Sequence, residues 1–143
     1  MYNPTRDEAR RFFFETWRKY RAQEPLSPLE GTALDVILAH PEYHGVLSEP
    51  ERFADRDYLP EQGETNPFLH LSMHLAIAEQ LSIDQPPGIK AKYRKLAERL
   101  QDEHRALHGV MDCLAETMWQ AQRQQTAPDG ELYLKCLEQQ AEK

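Results

Sequence analysis

The sequence predicts an all-α fold, and three observations carry the prediction. Apolar residues recur at three- and four-residue steps through every long window. Cap-and-proline pairs, Ser27-Pro28 and Asn66-Pro67, stand where two of those windows begin. No window alternates apolar and polar residues as a half-buried strand does, and only 6 of the 143 residues are glycine. The expected architecture is a single-domain helical bundle of about five to seven helices with a long polar connecting segment.

The elements follow in order. Thr5 and Glu8 form a capping box at the first helix start. The helix then puts Ala9, Phe13, Thr16, Trp17 and Tyr20 on one stripe, with Arg11, Glu15, Arg18 and Lys19 on the wet side. Ser27, Pro28 and Glu30 start a second helix whose face carries Leu29, Ala33, Val36, Ile37 and His40. Pro41 disfavours helical backbone at His40, so this helix ends or kinks there, and Pro41 opens a short new one through Leu47. The polar stretch 48–66, with Pro50, Pro60 and Gly63, is the connecting segment, with a turn of helix expected at Pro50 to Phe53. Asn66 then caps a central helix that ends at Asp84 to Gly88. Ile89, Tyr93, Leu96 and Leu100 mark the next. Asp102 caps a long helix to about Gln124, and a last one carries Leu132, Tyr133, Cys136 and Leu137.

Composition narrows the function classes. Hydrophobic residues are 40% and charged residues 29%, as in an ordinary globular chain. The net charge is −7, which repels nucleic acid and anionic lipid, so neither is expected as a partner. The basic run Lys90, Lys92, Arg94, Lys95 and Arg99 reads as the solvated face of a helix. No signal peptide is expected, because Met1 to Arg11 is polar and charged. Two cysteines, Cys113 and Cys136, are too few for a disulfide framework and read as reduced core thiols of a cytoplasmic protein. The Phe- and Trp-rich first helix serves either the core or a homodimer contact. No nucleophile elbow, phosphate-cradling glycine loop or Cys-x-x-Cys motif occurs.

The six histidines carry the chemistry. All fall into pairs four apart: His40 with His44, His70 with His74, and His104 with His108. Random placement would give about 0.2 such pairs. On a helix, residues four apart share a face and can reach a common point. A projection at about 100° per residue sets His70 and His74 at the centre of the apolar face of the central helix. Buried imidazoles are costly unless a metal, carboxylate, carbonyl or water satisfies them. On the long helix, His104, His108 and Asp112 rise in steps of four along the edge of the apolar face, which is centred on Leu107, Met111, Leu114 and Met118. If the two helices pack together, His70, His74, His108 and Asp112 converge, with His44 or His104 completing an outer shell or a second site. Such a donor set suits Zn²⁺, Fe²⁺ or Mn²⁺.

The run from Asn66 to Ile89, with His40-Pro41-Glu42-Tyr43-His44 and Arg10-Arg11-Phe12-Phe13-Phe14, resembles a proteobacterial family of short proteins, domain of unknown function family 1841. The resemblance covers nearly the whole chain and implies a bacterial, stand-alone, cytoplasmic protein. Two functional readings follow from the residues themselves. One is a protein that binds a transition metal through His and Asp on two core helices, open to enzymatic use of the metal. The other is a non-catalytic interaction or adaptor protein with a structural histidine cluster, docking through Phe53, Tyr58 and Leu59 of the polar segment.

Overall fold

The computed structural model describes residues 6–58 and 66–142, all helical or irregular, with no strand among them. Among the described residues are six long helices: α1 (Arg6–Arg21), α2 (Pro28–Leu38), α5 (Pro67–Ile83), α6 (Ile89–Leu100), α7 (Glu103–Gln124) and α8 (Gly130–Glu142). Two single turns, α3 (His44–Leu47) and α4 (Pro50–Phe53), lie between α2 and α5. The chain divides into two compact units, Met1–Ala76 and Ile77–Lys143, and α5 runs through the division.

The first unit is built by local chemistry legible in the sequence. Ser27 Oγ accepts from the Glu30 backbone N–H while Glu30 accepts from the Ser27 N–H, a complete capping box at the start of α2. The Thr5 cap expected for α1 lies outside the described residues. Helix α2 ends at Leu38, and His40 leaves the helical region (φ −127°, ψ 67°) ahead of Pro41. Pro41 then opens a 3₁₀ turn, Pro41–Tyr43, that leads into α3. At α5 the Asn66 side chain accepts from the Phe68 and Leu69 N–H groups, with Pro67 in the first turn.

Phe13, Phe14, Trp17, Ala33, Ile37, Leu47, Phe53, Phe68, Leu71 and Leu75 form one continuous core in this unit. Arg10 is buried beside it, a position that periodicity assigns to no stripe. Its guanidinium donates to the carbonyls of Phe53, Ala54 and Arg56 and stacks 4.7 Å from the Phe68 ring centroid. Burial lowers its pKa from the usual arginine range, and the three carbonyls compensate the lost hydration. Arg10 thereby anchors the polar segment where it leaves α4. Phe53, expected to help form a docking surface, is instead core, Tyr58 is half-buried, and Leu59 lies outside the described residues.

In the second unit α6, α7 and α8 pack on one another. Asp102 caps α7 by accepting from the Arg105 N–H, and Asp129 caps α8 through the Glu131 and Leu132 N–H groups. The buried stripe of α7 is Ala106, Val110, Cys113, Thr117 and Ala121, with Met111 and Leu114 beside it. This corrects the projected face: Met118 is 47% exposed, and Cys113, which is not on that projected face, is fully buried. Small residues decide the rotation, because Ala106, Gly109 and Cys113 allow a close approach. A Cβ on Gly109 would meet the Leu96 side chain at 3.2 Å.

Cys113 and Cys136 form a disulfide between α7 and α8, with Cα atoms 5.7 Å apart. The expectation of two reduced thiols is therefore wrong, and the cysteines give no support to a cytoplasmic address. Two thiols on adjoining helix faces, 23 residues apart across the Asp129 turn, come within bonding reach once α8 packs back on α7. Of the basic run, Lys90, Arg94, Lys95 and Arg99 are exposed and Lys92 pairs with Glu138, as a solvated face requires. Among the described residues, no helix is long and apolar enough to cross a membrane.

Candidate metal centre

Three imidazoles of the first unit converge: His40 at the end of α2, and His70 and His74 on α5. One ring nitrogen from each lies within 4.8 Å of the others. The ring centroids are 5.0 Å apart for His40 and His70, 4.6 Å for His40 and His74, and 4.9 Å for His70 and His74. His40 is 4% exposed, His74 is 5% exposed, and His70 is half-buried.

Each position has a local cause. On α5 the four-residue step stacks His70 and His74 on one face, and the Asn66-Pro67 start fixes where that face begins. His40 reaches them because α2 stops before Pro41. Its Nδ1 lies 2.8 Å from the Val36 carbonyl oxygen. A carbonyl only accepts, so Nδ1 carries the proton, and Nε2 is the ring nitrogen that can offer a lone pair to the cluster. A backbone carbonyl behind an imidazole is the usual device that orients a metal-ligating histidine. His70 Nε2 lies 3.2 Å from His40 Nε2. With His40 in that tautomer, the His70 nitrogen donates the proton of this contact. A cation entering between the two nitrogens would displace that proton.

Of the residues expected at a metal site, the structure places His70 and His74 together as the helical spacing implies. His44 does not join them. Its Nε2 donates to the Ile37 carbonyl at 2.8 Å and its ring stacks 4.4 Å from Trp17. His40, absent from the expected ligand set, joins the cluster, whereas His44, expected in an outer shell or second site, does not. The proline break turns the chain, so the two histidines face different neighbours. In the second unit, His104 and His108 have ring centroids 4.3 Å apart on α7, with His104 and Asp112 exposed and His108 half-buried.

Tyr43, missed by the sequence reading, lies against the cluster. Its ring is parallel to that of His40 (7° between planes, centroids 5.6 Å apart) and edge-on to His70 at 5.9 Å. Burial, and secondarily the Glu42 carboxylate, raise its phenol above the ordinary tyrosine value. The signal available in advance was its place inside His40-Pro41-Glu42-Tyr43-His44, between the two histidines.

A family model described as domain of unknown function (DUF1841) matches residues 5–139. No curated protein matches the chain, and no solved structure does.

Proposed function

We propose that this chain, which belongs to the DUF1841 family, is a metal-binding protein that holds a transition-metal ion between His40, His70 and His74. The convergence of three ring nitrogens within 4.8 Å, from segments 30 residues apart, supports this most strongly. Zn²⁺ fits the set best among Zn²⁺, Fe²⁺ and Mn²⁺. Imidazole nitrogen suits zinc, whereas manganese favours carboxylate oxygen, which these three residues do not offer. Bound there, the ion would tie the end of α2 to α5.

Three imidazoles leave one tetrahedral position on zinc. Water or a substrate there would make the ion a Lewis acid, and a fourth side chain would make the site purely structural.

Elemental analysis of untagged protein purified with metal supplementation tests the reading. The expected result is about one equivalent of zinc, lost in His40→Ala and His74→Ala and kept in His44→Ala. Less than about a tenth of an equivalent of any transition metal in the wild type contradicts it. The 3.2 Å contact of His40 with His70 favours a second reading, a metal-free cluster held by imidazole hydrogen bonds. Under that reading a chelator leaves the melting temperature unchanged.

A further inference from the structure

Tyr43 is the aromatic side chain set face-on to one of the three imidazoles and edge-on to a second. It closes the 3₁₀ turn that begins with Pro41, and its backbone N–H donates to the His40 carbonyl at 3.0 Å. Its side chain also packs on the core of the first unit. The bond from His40 Nδ1 to the Val36 carbonyl fixes one atom of the ring and leaves rotation about that line. A flat surface against the ring face removes the remaining freedom.

We propose that Tyr43 is a positioning residue of the metal centre, holding the His40 ring plane so that Nε2 points at the ion. The proposal rests on the metal reading above. The face of the ring is what acts, not the hydroxyl, so phenylalanine should replace tyrosine and an aliphatic side chain should not. Outer contacts of this kind typically change metal affinity about 10–100-fold when removed.

Co²⁺, whose visible bands report ligand geometry, serves as the probe on untagged full-length protein. Wild type and Tyr43→Phe are expected to bind about one equivalent with the same affinity and the same spectrum. Tyr43→Leu is expected to bind at least about tenfold more weakly, with altered bands. Val46→Ala removes a different side chain packed on the same core and controls for general loosening of the unit. It should leave Co²⁺ affinity and spectrum unchanged. Wild-type affinity and spectrum in Tyr43→Leu overturn the proposal. So does an equal loss in Val46→Ala, which would assign the effect to core stability, or a loss in Tyr43→Phe, which would assign it to the hydroxyl. A wild-type protein that takes up no Co²⁺ overturns the metal reading, and this proposal with it.

Discussion

His40 and His44 stand one short turn apart and do different work. His40 gives its Nδ1 proton to a carbonyl and turns Nε2 toward α5, while His44 spends its Nε2 proton on the Ile37 carbonyl and stacks on Trp17. Truncating His44 removes one of the bonds to that carbonyl, which keeps the His40 backbone N–H at 3.0 Å, and empties one face of Trp17. His44→Ala should therefore lower stability by about 1–3 kcal/mol in urea melts and leave zinc stoichiometry untouched. Residue spacing alone could not separate the two histidines. It recorded that each pair was four apart, but a proline inside one pair replaced helix geometry with a turn whose direction is set by packing. The same scale holds a pH effect. The Glu30 carboxyl is held below the usual carboxylate value, first by the Ser27 backbone N–H, against burial as the next influence, with Lys19 adding to the lowering. A lowered folded-state value means that the charged form is favoured on folding. The stabilisation is complete above the ordinary carboxylate range and is lost as pH falls through the folded value. Wild type and Glu30→Gln should differ at neutral pH by on the order of 1 kcal/mol, and their urea midpoints should converge in acid.

At the scale of elements, caps were the most legible feature. Ser27, Asn66 and Asp102 each accept the backbone N–H groups that their side-chain chemistry leads one to expect. Asn66 sets the phase of α5 and so the direction of His70 and His74. Asn66→Ala should cost about 1 kcal/mol by chemical denaturation, while the interior of α5 keeps its helicity. Helix faces were less legible where residues are small. Counting large apolar side chains centred α7 on Met111 and Met118, whereas Cys113, Thr117 and Ala121 face inward, because close helix approach rewards small volume. The disulfide was hidden for a different reason: two cysteines are too few to announce a framework, and a cytoplasmic reading implies reduced thiols. The bridge closes a loop of 23 residues that contains the turn between α7 and α8. Chain entropy assigns it a stabilisation of about 3 kcal/mol. The double substitution Cys113→Ala, Cys136→Ala should lower the unfolding free energy by about that amount. A dithiol reductant should do the same to the wild type and nothing further to the variant.

At the scale of the whole molecule, the all-α class followed from periodicity and from the absence of alternation, because every long helix has both a stripe and a stop. The division of contacts at Ala76 and Ile77, inside a single helix, had no counterpart in the sequence. A boundary without a linker leaves no shift in composition to read. The histidine cluster was half legible. Its α5 half is local geometry, and its α2 half depends on how two segments 30 residues apart fold together. A ligand that binds only the folded chain stabilises it by mass action, about 2.7 kcal/mol at a free concentration one hundred times the dissociation constant. Zinc should therefore raise the melting temperature by roughly 5–10 °C, and a chelator should reverse the shift. His40→Ala should abolish that response.

The most direct measurement is X-ray absorption at the zinc edge on the zinc-loaded, untagged chain. The expected spectrum has a four-coordinate first shell near about 2.0–2.1 Å, with outer-shell scattering from at least three imidazoles that disappears in His40→Ala. A spectrum of hydrated or carboxylate-bound zinc, or one that His40→Ala leaves unchanged, would contradict a centre built on His40, His70 and His74.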